Sequence, residues 1–118
     1  MIIGIGLDLV ETDRIDRLRK RQKRFAERIL TEVELSVYDS LNENRKTEFL
    51  SGRFAAKEAY SKAAGTGIGE ALSFQDIEIM SDEKGKPCIV KPARYRIHLS
   101  ITHTKSHAAA QVIIETSR

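Results

Sequence analysis

The run from Arg45 to Ala64 constrains this chain more than any other stretch. It is alanine-rich and is stopped by the glycines of GTGIG at 65–69, so it reads as one long helix closed by a residue free to turn left-handed. At helical spacing Phe49, Gly52, Ala56, Tyr60 and Ala63 share one stripe, whereas Phe54, Glu58 and Lys62 fall on roughly the opposite side. Aromatic residues on both flanks predict a central helix with neighbours on both sides.

The flanking segments supply those neighbours. Residues 2–10 (IIGIGLDLV) alternate, with Ile3, Ile5, Leu7 and Leu9 on one parity and Gly4, Gly6 and Asp8 on the other, which reads as a first strand. Thr12 or Asp13 can cap a helix in which Ile15 and Leu18 face inward, and the basic stretch beyond either continues it or turns just after it. Thr31 and Glu34 are spaced as a capping box before a short helix ending near Leu41, and the polar NENRK at 42–46 reads as a loop. Ser73–Met80 and Pro87–Val90 read as strands around a turn holding Lys84 and Gly85. Arg96–His103 and Ala108–Glu115 are two more. Helices gathered early and strands late predict an α+β fold with a largely antiparallel sheet packed on one long central helix.

At 118 residues the expectation is a single domain over 1–118, burying roughly two-thirds of its unfolded surface. No apolar run approaches the ~18 residues of a membrane span, and Met1 leads straight into a strand, so no membrane association and a cytoplasmic location are expected. Cys88 is the only cysteine, which excludes an intrachain disulfide or a cysteine metal cluster and leaves a small buried apolar residue as its reading.

Net charge is +3, unevenly placed. Arg17, Arg19, Lys20, Arg21, Lys23, Arg24 and Arg28 face Glu27 alone, so this short stretch carries +6 and the remainder of the chain −3. An acidic partner follows.

Three side chains suggest chemistry. Asp8 shares its strand face with two glycines and taken alone reads as an end-of-strand cap. Glu58 sits mid-helix, four residues before Lys62, where an i,i+4 pair is the plain reading and a hard-metal site shared with Asp8 the functional one. Lys57, Lys62 and the glycine loop add a phosphate theme, although GTGIG follows a helix where a P-loop would open one.

GIGLD at 4–8, FLSGRFAAKEAYSKAAGTGIG at 49–69 and SITHT at 100–104 together resemble the acyl carrier protein synthase family of 4'-phosphopantetheinyl transferases. The superfamily signature, G-x-D plus K-E-A-x-x-K, matches Gly6–Asp8 and Lys57–Lys62. The resemblance covers nearly the whole chain and implies transfer of 4'-phosphopantetheine from coenzyme A to a serine of apo-acyl carrier protein, releasing adenosine 3',5'-bisphosphate, in support of fatty acid biosynthesis. By the same resemblance Asp8 and Glu58 would hold Mg2+, and Glu58 and Lys62 would be catalytic. Arg53, Lys57, Lys62, Gly65, Thr66, Gly67, His103 and Thr104 would bind coenzyme A. The fold would be a small α+β unit assembling as a homotrimer with sites between subunits. The chain departs from relatives at 92–96, a short connection carrying Arg94 and Tyr95 where many have a longer, more helical one.

Loss of the serine proton needs a base, and metal-bound water, Glu58 and Lys62 all remain open. His98 and His107 read as structural or surface residues. The basic stretch has three readings: a solvated face, a nucleic-acid-binding helix, or a docking surface for acidic acyl carrier protein made by Arg14, Leu18, Arg21, Arg24, Phe25, Arg28 and Phe54. Four Phe, three Tyr, no Trp and no nucleic-acid motif count against the second. The catalytic resemblance favours the third, with the arginines on one helical stripe if the helix persists.

Overall fold

The structure, a computed structural model, describes residues 1–116. Strand β1 (Ile2–Glu11) leads into helices α1 (Thr12–Arg21), α2 (Phe25–Ile29), α3 (Glu32–Asp39) and α4 (Glu43–Ala64). After a 3-10 turn at Phe74–Asp76 come strands β2 (Glu78–Ser81), β3 (Pro87–Lys91), β4 (Arg96–His103) and β5 (His107–Glu115). Strands β1, β5 and β4 lie side by side in that order as an antiparallel sheet, while β2 and β3 form a separate hairpin. The α+β architecture, the antiparallel pairing and the central helix agree with the sequence.

Helix α4 starts earlier than its apolar pattern suggests. The Asn42 side chain accepts the Arg45 N–H at 3.0 Å, so the NENRK segment expected as a loop is the cap and first turn of the helix. Gly65 ends it at φ 83°, a left-handed conformation that costs glycine nothing. Between these ends Leu50, Ala55, Ala56, Ala59, Tyr60 and Ala63 are buried. The small side chains let a strand approach closely.

That strand is β1, and its alternation runs opposite to the usual rule. Gly4 and Gly6 face α4: a Cβ on Gly4 would collide with the Ala63 carbonyl, and one on Gly6 with the Ala59 carbonyl. Backbone lies on backbone there. The aliphatic parity points away from the core, leaving Ile3, Ile5, Leu7 and Leu9 between 48% and 66% exposed.

On the other flank of α4, Phe54 stands between Phe25 and Phe74, with ring centroids 6.4 and 5.5 Å away. The Thr31–Glu34 capping box forms as expected. Thr12 and Asp13 do not cap α1: Glu11 takes that position without a side-chain bond, and the Thr12 hydroxyl donates to the Lys105 carbonyl at 3.1 Å, tying α1 to the β4–β5 turn. The basic stretch is broken as well. Helix α1 stops at Arg21, Gln22 is extended, and α2 begins at Phe25 so that Phe25, Ala26 and Ile29 enter the core. Cys88 is half-buried, more open than expected. Among the described residues no helix is long and apolar enough to cross a membrane.

Candidate active site

Close packing of β1 on α4 brings Asp8 to the second half of the helix. Lys62 Nζ lies 3.0 Å from Asp8 Oδ1 and also donates to the Leu7 carbonyl at 3.1 Å. Glu58, about one turn before Lys62, joins the group. Its carboxyl is raised above the ordinary value, first by burial and then by the negative charge of Asp8, while Lys62 and Arg14 pull it back. Two carboxylates from different elements therefore feel one another's charge, with Lys62 hydrogen-bonded to Asp8 and both Lys62 and Arg14 acting on Glu58.

This donor set fits a small hard cation. Asp8 and Glu58 offer only carboxylate oxygen, and their mutual repulsion is relieved by positive charge. Among the described residues no group of three or more His, Cys, Asp or Glu could hold a metal. A pair of carboxylates suits an ion such as Mg2+, which takes one or two carboxylates and keeps its other positions for water and phosphate oxygens.

Lys57 does not join them, which corrects its place among the phosphate ligands. It is wholly buried, and its three N–H groups go to the Ile29 carbonyl at 2.7 Å, Glu34 Oε1 at 2.6 Å and the Phe74 carbonyl at 3.1 Å. No donor is left for a ligand. Burial pulls its ammonium down from the usual lysine value, and the paired Glu34 opposes that fall. The signal lay in the helical wheel: Lys57 sits about 100° from Glu58 and 140° from Lys62.

The glycine loop also differs from the anion cradle expected of it. The Gly65 N–H bonds to the Lys62 carbonyl, and those of Thr66 and Gly67 to the Ser61 carbonyl. These amides cap the helix, whose C-terminal end carries partial negative charge. What the loop does offer is space, since a Cβ at Gly65 or Gly67 would meet nothing within 4 Å.

Arg53 and His103 come together elsewhere. With Arg45, Glu48, Phe49, Gly52, Gly85, Pro87 and Ile101 they line a groove of about 400 Å³. The Arg53 guanidinium stacks 4.3 Å over the Phe49 ring, and its buried Nε has no hydrogen-bond partner among the described residues. Burial pulls this guanidinium down from its usual value, opposed by the Glu34 charge. His103 Nε2 is 3.6 Å from Glu48 Oε1. Thr104 turns to the neighbouring cavity beside Lys105, its hydroxyl accepting the Ser106 and His107 N–H groups. Arg45 is the groove residue that the sequence reading missed. Its spacing to Phe49 and Arg53, four and eight residues on, was the available sign. Asp8 belongs to β1 and His103 to β4, with β5 between them, so the carboxylate pair and this groove sit two strand spacings, roughly 10 Å, apart across the sheet.

The basic surface is real but smaller than its charge count. Arg19 is occupied by Asp16, Glu43 and Thr47, and Lys20 pairs with Asp16 at 2.9 Å. Arg14, Arg21, Arg24 and Arg28 are exposed, and Leu18 is half-buried. Phe25 is buried, whereas Phe54 is half-buried within the aromatic cluster and keeps part of its ring at the surface. His98 and His107 stay outside the site: His98 Nε2 lies 2.7 Å from Glu115 Oε1, and His107 Nδ1 lies 2.8 Å from the Ser106 hydroxyl.

Comparison with known proteins gives a consistent result. The family model for the 4'-phosphopantetheinyl transferase superfamily matches residues 4–113. The holo-[acyl-carrier-protein] synthase of Bacillus subtilis (strain 168) is 64% identical over 117 residues, covering 98% of this chain and 97% of its own. That of Geobacillus sp. (strain WCH70) is 56% identical over 116 residues, with 98% of each covered. Among solved structures, the holo-(acyl-carrier-protein) synthase from Bacillus anthracis str. Ames in complex with CoA (3',5'-ADP) superposes with a TM-score of 0.92 at 53% identity, covering 99% of both chains. The Helicobacter pylori holo-[acyl-carrier-protein] synthase in complex with coenzyme A gives 0.82 at 33% identity, covering 94% of this chain and 99% of that one.

Proposed function

The chain belongs to the 4'-phosphopantetheinyl transferase superfamily, as an enzyme of the holo-[acyl-carrier-protein] synthase kind, and from that premise we propose that it moves the 4'-phosphopantetheine arm of coenzyme A onto a serine of apo-acyl carrier protein, in support of fatty acid biosynthesis. The observation that carries this reading is the meeting of Asp8, Glu58 and Lys62, the acidic and basic ends of the two signature motifs, at one contact between β1 and α4.

Asp8 and Glu58 would hold Mg2+, which when bound would supply positive charge against the pyrophosphate of coenzyme A. The serine Oγ forms a bond to the pantetheine-side phosphorus, the bridging P–O bond breaks, and adenosine 3',5'-bisphosphate leaves. Glu58 and Lys62 are the catalytic side chains of this chain. Glu58 is assigned the serine proton, and the Lys62 ammonium, 54% exposed beside Asp8, supplies positive charge toward the phosphate oxygens. Gly65, Thr66 and Gly67 give the pyrophosphate an open shoulder. The acidic carrier docks on Arg14, Arg21, Arg24 and Arg28 beside Leu18. Arg14, which also acts on Glu58, joins that surface to the reaction centre.

Arg53 and His103, with Thr104 nearby, bind the nucleotide end of coenzyme A, and the working unit is a trimer with each site shared between neighbours. Two features support sharing. The groove and the carboxylates of one chain lie across the sheet from each other, and the outer face of β1 carries an aliphatic stripe suited to burial against another copy.

The test is mass spectrometry of apo-acyl carrier protein incubated with the chain, coenzyme A and Mg2+. The expected result is a gain of one phosphopantetheine, lost in Asp8→Asn and in Glu58→Gln while both variants stay folded. A carrier of unchanged mass, across several carriers, overturns the reading.

A further inference from the structure

Lys57 shows no exposure, and Glu34, its partner, is 1% exposed. The three acceptors on the Lys57 ammonium come from the end of α2, from α3 and from the 3-10 turn. Glu34 is equally saturated with partners. Its Oε1 also accepts the Thr31 N–H at 2.8 Å and its Oε2 the Ile79 N–H at 2.7 Å, while the Thr31 hydroxyl donates to buried Glu78. Three segments converge on the Lys57 side chain of α4, and a fourth, β2, joins them through Glu34.

Stability alone does not account for this arrangement, because well-packed apolar residues usually stabilise a core as well as a buried ion pair does. The pair supplies direction and a fixed length. Lys57 leaves α4 about 100° around from Glu58. On the far flank Gly4 and Gly6 press against the carbonyls of Ala63 and Ala59. A helix held at both places has its rotation and height set. Side-chain tips lie about 5–6 Å from a helix axis, so a turn of about 10° carries a carboxylate about 1 Å, enough for a rate loss on the order of 10²-fold.

We propose that Lys57, held by Glu34, is a positioning residue that sets the rotation of α4 and so places the Glu58 carboxylate against Asp8. The inference rests on reading the Asp8–Glu58 pair as the reaction centre. Lys57→Met, and the double variant Lys57→Met/Glu34→Gln that leaves no orphaned buried charge, are compared with the wild-type chain in three measurements. These are thermal melting, Mn2+ titration followed by electron paramagnetic resonance without coenzyme A, and steady-state kinetics. The single variant melts lower and the double recovers most of that loss. In both, kcat falls about 10²-fold and Mn2+ binds more weakly, while the KM for coenzyme A is unchanged. A folded double variant with wild-type kcat and Mn2+ affinity overturns the proposal. So does a raised KM for coenzyme A at constant kcat, which would make Lys57 a phosphate ligand, and so does failure of both variants to fold, which would make it a folding residue. A wild-type chain that modifies no carrier, with Mn2+ affinity still lost in the variants, sinks the transferase reading alone.

Discussion

Replacing Asp8 by Asn removes the negative charge that faces Glu58, so the Glu58 carboxyl of the metal-free chain should titrate lower than in the wild type while burial keeps it above the ordinary value. Carbon-detected NMR of the side-chain carboxyl measures this, and an unchanged midpoint would mean the two groups do not feel one another. The stability consequence has a definite sign. Between the ordinary carboxylate pKa and the raised folded one, the folded chain holds more protons than the unfolded chain, so stability falls as pH rises through that interval. Asp8→Asn should flatten the fall. At this scale the signature residues were legible because G-x-D and K-E-A-x-x-K name chemical types at fixed spacing. Their environments were not. A motif writes Lys57 beside Glu58 although the helix turns them toward different neighbours, and only the partner Glu34, far off in sequence, shows which lysine faces inward.

Glycine at the β1–α4 contact and glycine within α4 should respond oppositely to the same substitution. Gly6→Ala drives a methyl into the Ala59 backbone and should cost about 3 kcal/mol, the upper end for overpacking, and should reduce turnover by moving Asp8. Gly52→Ala meets only the Ile101 Cγ2 at 3.3 Å and gains about 1 kcal/mol of helix propensity, so it should be neutral or stabilising. Urea denaturation of the two variants checks both, and equal losses would contradict the geometry. Elements were largely readable from periodicity and caps, with β4 matching its expected span of Arg96–His103. The break between α1 and α2 was not. Ile15, Leu18, Phe25 and Ile29 keep a helical period across it, and only polar Gln22, where the stripe wants an apolar residue, hints that the helix has ended.

Across the whole molecule, charge and assembly make separable forecasts. Arg21→Glu should raise the KM for the carrier and weaken its dependence on salt, because steering by opposite charge is screened over ~8 Å at physiological ionic strength, and should leave the KM for coenzyme A unmoved. Steady-state kinetics at two salt concentrations decide it; a loss confined to kcat would place docking elsewhere. If sites are shared, mixing inactive Asp8→Asn with inactive His103→Ala should restore roughly a quarter of wild-type activity, since random assembly joins the intact halves at about one interface in four. No recovery would confine each site to one chain. Which face of β1 lies inward was the least legible feature, because alternation marks two faces without saying which one the rest of the chain covers.

Those outward-facing isoleucines and leucines of β1 also bear on how the protein behaves when scarce. If copies of the chain cover that stripe, mass action applies, and specific activity should decline on dilution past the subunit dissociation constant and return when the sample is reconcentrated. In a cell the same relation would switch the enzyme on above a threshold of its own abundance, with no effector required.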